Sequence, residues 1–292
     1  MKPHHNVTTQ YLVHYLNNVD YKTYINGSIL NKLTQSNMNN ITMLVPPLAE
    51  QRRIADFLDA ECARIDAVIE KTRASIEEYK KLKQSVITQA VTKGIRPGRK
   101  MKDSGIEWIG EIPEEWDTLS LKYLCTMQSG KNLVAEQILD SGDYPVYGGN
   151  GQRGFFSDYN NEGKCLLVGR QGALCGNVHR VDGKFWATEH AVVTINTELC
   201  NMDFLFYLLI GMNLNQYVSS TAAQPGLAVS TIQNVHTCMP CMDEQAEIAS
   251  YLDELLPEVN SLLKMKEKIV SELESYKKSL IFEYVTGKKE VV

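Results

Sequence analysis

The side chains that could do chemistry lie in short polar clusters through the middle of the chain. Asn150-Gly151-Gln152-Arg153 sets two amides and a guanidinium within four positions. Arg170-Gln171 closes an apolar run, His179, Arg180 and Lys184 flank a turn, and Thr188, Glu189 and His190 follow Trp186. Ser219, Ser220, Thr221 and Gln224 form a further polar stretch. These residue types read patterned edges of donors and acceptors. An arginine fork matches guanine and an Asn or Gln amide matches adenine, while hydroxyls reach phosphates or bases. The plain alternative for each is an ordinary surface residue. For Arg170 it is an internal pair, and for Thr188, Glu189 and His190 it is a place in the core. Trp108, Trp116 and Trp186 read as core rather than as stacking platforms.

Motifs for catalysis are missing from the sequence. There is no GxxxxGKS/T phosphate loop, no Asn-Pro-Pro-aromatic motif of amino-methyltransferases, and no nuclease motif of paired carboxylates and lysine. Gly148, Gly149, Gly151 and Gly154 are not spaced as a dinucleotide fingerprint and read as a loop. Cys238-Met239-Pro240-Cys241 has the spacing of half a zinc site, but zinc takes four ligands and there is one such pair. Strand packing accounts for both cysteines, and no cofactor or metal is expected.

Charge is divided unevenly along the 292 residues. Residues 1–48 carry +2, residues 49–100 carry +4, residues 101–243 carry −8 and residues 244–292 carry −3, for a net −5. An acidic chain is a poor nonspecific polyanion binder, although local patches decide specific contact. No apolar run approaches the ~18 residues of a membrane span, and the N-terminus lacks an apolar signal region. The seven cysteines are scattered and odd in number, which suits reduced thiols. A cytoplasmic protein is expected.

Those clusters must be positioned by something, and an internal repeat supplies the frame. EQRRIADFLDAECARIDAVIE from Glu50 aligns with EQAEIASYLDELLPEVNSLLK from Glu244 at a fixed offset of 194 without a gap. The offset pairs Gln51 with Gln245, Leu58 with Leu252, Asp59 with Asp253, Val91 with Val285 and, upstream, Pro46 with Pro240. Repeats of this length imply repeated structure. Each copy keeps apolar residues at a 3–4 spacing. These are Ile54, Leu58, Ile65, Ile69, Ile76, Leu82 or Lys83, and Val86 in the first, and Ile248, Leu252, Val259, Leu263, Val270, Leu273, Leu280 and Tyr284 in the second. One seam at this period predicts two long helices that pair as an antiparallel coiled coil. Pro257, without a counterpart in the first copy, predicts a kink or a restarted helix.

The expected fold class is α+β: one globular mixed domain plus the two helices. Between the repeats, KCLLVGR, HAVVTI and NVHTCMP read as short strands broken by Gly- and Asn-rich turns. Met202–Val218 reads as a helix. The expected divisions are 1–45, 46–94 (first long helix), 95–106 (a Gly/Pro/basic linker), 107–243 (globular domain) and 244–292 (second long helix).

KMKDSGIEWIGEIPEEWDTLSLKYL from Lys100, then YPVYGGNGQRGFF, then LLVGRQGALCGNVHRVDGKFWATEHAVV, then PGLAVSTIQNVHTCMPCMDEQAEIASYLDE follow one another in the chain. In this order they resemble a target-recognition domain and its exit helix in the DNA-specificity subunits of type I restriction-modification systems. The resemblance implies a noncatalytic protein that reads double-stranded DNA through residues 101–243. It implies docking of methyltransferase and restriction subunits on the long helices. S-adenosylmethionine, ATP and magnesium would belong to those partners. A stand-alone methyltransferase is the rival reading, and the missing motifs weigh against it.

Members of the family normally carry two recognition domains. Here QYLVHYLNN resembles DFLFYLLIG, shifted by one, so residues 1–45 match only the end of a first domain. A remnant that holds partners without specifying a full site is therefore the alternative function. Tyr11, Leu12, Val13, Tyr15 and Leu16 would then lack most of the domain they pack into. That predicts a homodimer reading an inverted repeat.

Overall fold

The computed structural model describes residues 6–25, 32–171, 175–218 and 226–291. Its helices are α1 (Thr9–Asn17), α2 (Gln35–Asn39), α3 (Leu48–Lys93), α4 (Met202–Gly211), α5 (Val229–Gln233) and α6 (Met242–Val285). The chain forms two compact units, Met1–Tyr79 with Asn260–Val292, and Lys80–Val259. This division runs through both long helices rather than through the expected linker.

In the first unit α3 and α6 run antiparallel. Asp66 meets Lys277 at 2.6 Å, Arg73 meets Glu274 at 2.5 Å, and the rings of Phe57 and Tyr284 lie 4.6 Å apart. Rising numbers on one helix meet falling numbers on the other. Ile54, Leu58, Ile65, Ile69 and Ile76 of α3 are buried in one cluster with Val270, Leu280, Ile281 and Val285 of α6. The apolar seam excludes water between the helices, and the charged pairs line its flanks. α6 continues through the exposed Pro257, so the helix does not restart there.

The segment before α3 is seated by Gln51, which is fully buried. Its side-chain oxygen accepts from the Thr8 N–H (2.8 Å), and its amide donates to the carbonyls of Asn6 (2.8 Å) and Pro46 (2.7 Å). Tyr11 is 1% exposed and donates its hydroxyl to the Leu44 and Val285 carbonyls. This corrects the expectation that the apolar side chains of α1 lack partners. Of that group only Val13 is largely exposed, and the observation that favoured self-pairing falls with it.

The second unit is built on sheets. β1 (Met101–Asp103) pairs antiparallel with β2 (Glu111–Pro113), and β3 (Asp117–Ser120) pairs with β12 (His236–Met239). β4 (Cys125–Ser129), β11 (Ala191–Asn196), β8 (Cys165–Gly169) and β9 (Val178–Val181) form one four-stranded sheet in the order 4-11-8-9. β6 (Gly151–Phe156), β5 (Tyr144–Gly148), β10 (Lys184–Ala187) and β7 (Asn161–Glu162) form another. The unbroken apolar run of β8 follows from burial on both faces. Leu166 and Val168 enter the large core with Phe204, Leu208 and Trp116, whereas Cys165 and Leu167 enter a smaller one with Phe185 and Val193.

Two expectations are corrected in this unit. Of the two seam alternatives Leu82 is 54% exposed and Lys83 is half-buried, and the buried face continues with Ile87, Ala90 and Val91. There the helix packs on α4: Thr88 and Gln84 donate to the Gly211 and Ile210 carbonyls, and a Cβ on Gly211 would meet Val91 at 2.8 Å. α4 stops at Gly211 instead of running to Val218, with Asn213 in the left-handed region (φ 47). The 95–106 segment is not a free linker. Arg96 pairs with Glu247 at 2.5 Å, Arg99 pairs with Glu244 and Glu115, and residues 101–103 are β1.

Gln245 repeats the role of Gln51. Its oxygen accepts from the Asn201 N–H (2.7 Å), and its amide donates to the carbonyls of Leu199 (3.1 Å) and Pro240 (3.0 Å). The repeat therefore extends to hydrogen bonding: Pro46 and Pro240 keep the 194-residue offset, and Asn6 and Thr8 answer to Leu199 and Asn201 with a shift of one residue.

Candidate nucleic-acid interface

The hairpin of β5 and β6 turns through Gly149 and Asn150, with Gly151 at φ +98, a backbone state suited to a tight hairpin. The tip lies close on its neighbours. A Cβ on Gly149 would stand 3.0 Å from the His190 carbonyl and 3.5 Å from that of Gln171, so glycine permits the approach. The Arg170 N–H donates to the His190 carbonyl (2.9 Å), tying the end of β8 to the turn before β11. The His179 ring lies within 4 Å of where a Gly151 Cβ would stand, and the Asn177 amide donates to the Asn150 side-chain oxygen at 3.4 Å. Asn150, Arg170, Gln171, His179 and His190, separate in the sequence, are thus brought together at one hairpin tip.

Gln152 and Arg153 belong to β6 rather than to a loop, and both are exposed. Neighbouring strand residues normally face opposite ways, but β6 is a sheet edge and its register shifts opposite Val146/Tyr147. Both side chains therefore reach solvent. Arg170 is half-buried and donates from Nη1 to the Ser129 hydroxyl at 3.2 Å.

Polar atoms at this tip are left without partners. Among the described residues, buried His179 Nε2, Thr188 Oγ1, Glu189 Oε2 and His190 Nδ1 have no hydrogen bond. Leaving one such atom unmet costs about 1–3 kcal/mol. Burial lowers the pKa of His179, favouring the neutral ring that can accept as well as donate. Apart from the enclosed Thr188, these half-buried residues can complete their hydrogen bonds on an incoming ligand or on solvent.

Other expected residues are placed elsewhere. Arg180 pairs with Asp253 (2.8 Å) and Asp203 (3.2 Å) and stacks over Phe206 (4.2 Å). It braces β9 against α4 and α6, so its fork is not available to a base. Thr188 is 1% exposed and cannot reach an outside ligand without rearrangement. Lys184 sits over the Tyr159 ring (4.6 Å) beside Glu162, and no contact ties it to the tip. Ser219, Ser220, Thr221 and Gln224 lie outside the described residues.

Two polar clefts add residues that the motifs missed. Gln128, Ser129, Lys131, Asn160 and Asn161 line one of about 330 Å³. Asn177 and His179 line another of about 320 Å³ with Gln84, Asn213 and Asn215. A readable signal for the first was Gly130 inside the polar run Gln128–Asn132, because a Cβ there would lie 2.2 Å from the Ala187 carbonyl. Among the described residues no group of three or more His, Cys, Asp or Glu could hold a metal. Cys238 is buried, donates to the Val91 carbonyl and has its pKa pushed up to about 12 by burial, while Cys241 is exposed.

The chain is of the class that sets a mixed α+β domain on two repeated long helices, here with a polar hairpin tip. Residues 1–78 and 113–274 match the type I restriction modification DNA specificity domain, and the chain belongs to that family. It is 43% identical over 147 residues to the type I restriction enzyme EcoprrI specificity subunit of Escherichia coli, covering 49% of this chain and 36% of that protein. It is 26% identical over 297 residues to the MjaVIII specificity subunit of Methanocaldococcus jannaschii, covering 92% of this chain and 67% of that one. The chain thus spans about a third of the length of the first relative and about two thirds of the second. A chain from a structure of type I restriction-modification complex assembly shares the fold, with a TM-score of 0.68 at 18% identity over 96% of this chain and 71% of that one. The type I S subunit from M. genitalium gives a TM-score of 0.50 at 15% identity, covering 98% and 74%. Among the described residues no helix is long and apolar enough to cross a membrane.

Proposed function

We propose that the chain is a noncatalytic, sequence-specific DNA-recognition subunit of a cytoplasmic type I restriction-modification complex. Residues 101–243 read one half-site of double-stranded DNA, and the long helices hold methyltransferase and restriction subunits. S-adenosylmethionine, ATP and magnesium belong to those partners. The observation that carries the reading is the β5–β6 tip: unpartnered polar atoms on His179 and His190 beside exposed Asn150, Gln152 and Arg153. Arg180 and Thr188 are withdrawn from the reading face, and Ser129 and Asn177 join it. The acidity of residues 101–243 is tolerable because basic partner subunits supply the phosphate attraction that dominates nonspecific affinity.

The test begins with methylated bases mapped in cells expressing this chain and its methyltransferase subunit. Duplexes bearing the mapped site and single mismatches then measure discrimination by the purified complex. Arg153→Ala and Gln152→Ala should each reduce it, by roughly 1–3 kcal/mol for a bidentate contact, with the fold unchanged. An unchanged ratio in both variants would remove this hairpin from base readout. A chain that binds the methyltransferase subunit while no site is methylated would support the remnant reading instead.

A further inference from the structure

The hairpin tip shares its end of the sheet with a second polar feature. β4, β11, β8 and β9 are neighbours in that order, and their registers pair Ser129 with Val192, Ala191 with Gly169, and Val168 with Val178. That end of the sheet therefore carries, strand by strand, Ser129–Lys131, then His190, then Arg170 and Gln171, then Asn177 and His179. Only β11 lies between β4 and β8, which sets their backbones roughly 10 Å apart. The Arg170 guanidinium reaches across to the Ser129 hydroxyl (3.2 Å).

The cleft of about 330 Å³ beside Ser129 runs against the charge of its surroundings. Residues 101–243 carry a net −8, yet no carboxylate lines it. Lys131 is exposed, and among the described residues its ammonium has no partner. Gln128 and Asn161 bring amides, and the Ser129 hydroxyl, accepting from Arg170, keeps its proton for another acceptor. Asn160 is spent on the backbone of Ala187 and shapes the wall. The backbone that delivers Lys131 is pinned. The Gly130 N–H donates to the Ala191 carbonyl (3.0 Å), the Lys131 N–H to the Ala187 carbonyl (2.9 Å), and the Trp186 indole N–H to the Lys131 carbonyl (3.2 Å). A Cβ at Gly130 would run into the Ala187 carbonyl, so glycine admits this approach. A fixed backbone bearing an unpaired cation among neutral donors, with no competing acid, has the chemistry of an anion site.

We propose that this cleft seats a backbone phosphate of the DNA whose bases the β5–β6 tip reads, with Lys131 as the cation and Gln128, Ser129 and Asn161 as donors. The inference rests on the recognition reading and divides its labour. Phosphate contacts fix register and orientation, whereas contacts to base edges carry sequence information. The major groove is about 12 Å wide, so a base edge met near Arg170 and a phosphate roughly 10 Å away belong to one stretch of duplex. Lys131 anchors the duplex and does not discriminate. It also gives an acidic domain a local hold on a polyanion that its net charge opposes.

The test uses the purified complex of this chain with its methyltransferase subunit, on duplexes bearing the mapped site. Lys131→Gln should weaken matched and mismatched duplexes by the same factor, and the slope of log affinity against log salt should fall by about one. Lys131→Arg should restore the slope, and a thermal melt checks that both variants are folded. Single methylphosphonates, each removing the charge of one phosphate, are then placed along both strands. At one position the substitution should weaken binding by the unsubstituted complex and cost nothing further with Lys131→Gln. A salt slope untouched by Lys131→Gln, or penalties that add to it at every position, overturns the proposal. A changed matched-to-mismatched ratio would move Lys131 to base readout and overturn it too. Arg153→Ala losing discrimination while Lys131→Gln leaves the slope alone sinks the anchor and spares the recognition reading. A complex with no preference for the mapped site sinks both.

Discussion

At the start of α3, Gln51 ties together the residues leading into α1, the Pro46 carbonyl and the long helix; at the start of α6, Gln245 makes the same three bonds with α4 and Pro240. About two turns on, the likeness continues in a different chemistry. His14 meets Asp59 at 2.8 Å, and the Tyr207 hydroxyl donates to Asp253 at 2.5 Å, where Arg180 joins them. One residue before each glutamine the likeness ends. Glu244 is buried under Arg99 and Trp116, whereas Glu50 faces an open groove. The pair teaches that a helix start can be specified twice over by sequence and yet be finished only where a distant segment returns to cover it.

The largest expected effect breaks this comparison at its point of difference. Glu244→Ala leaves the half-buried Arg99 with Glu115 and the face of Trp116, and loss of one partner from a buried pair costs about 3–5 kcal/mol. The lower end applies here because Glu115 remains at 3.1 Å. Glu50→Ala should cost less than about 0.5 kcal/mol, as surface changes do. Hydrogen exchange followed separately in the two units measures both, and equal losses would show that the two glutamates are not differently engaged.

Next come the glutamines, where the units should respond alike. Gln51→Ala and Gln245→Ala each orphan a backbone N–H and two carbonyls, worth about 2–4 kcal/mol apiece. Each loss should appear in its own unit by the same exchange measurement. A Gln51 variant that costs nothing would detach α1 from the repeat.

The smallest effect is a pH dependence in the second unit. Burial by itself would raise the Glu244 pKa, but hydrogen bonds from Arg99 and Trp116 and the charge of Arg99 outweigh it and hold the carboxyl below the ordinary glutamate value of 4.5. Asp253 is likewise held below 3.8, because hydrogen bonds from Arg180 and Tyr207 outweigh its desolvation. A depressed folded-state pKa contributes stability that is present above the unfolded value and lost as pH falls through the folded one. Urea melts between pH 6 and about pH 3 should therefore lose stability below roughly pH 4.5. Glu244→Gln should flatten that decline; an unchanged slope would assign the loss to other carboxylates.

Much of the frame is legible in the order of the amino acids. A repeat, a 3–4 seam and an unbroken apolar strand are local patterns, and each has one economical burial: against a partner helix, or between two cores. Ile54 to Ile76 and Leu166 to Val168 obey that rule. The candidate site is legible only in part. Asn150, Arg170, Gln171, His179 and His190 share residue types with Arg180 and Thr188, and nothing local separates them. Asp253, which holds Arg180, is 73 residues away, and the surroundings that bury Thr188 come from strands far along the chain. Sequence by itself determined the repeated helices and the polar inventory, because spacing and side-chain chemistry are local. Only the tertiary structure decided which of those polar groups remain available and which of two glutamates is covered, because both depend on which distant segment closes over them.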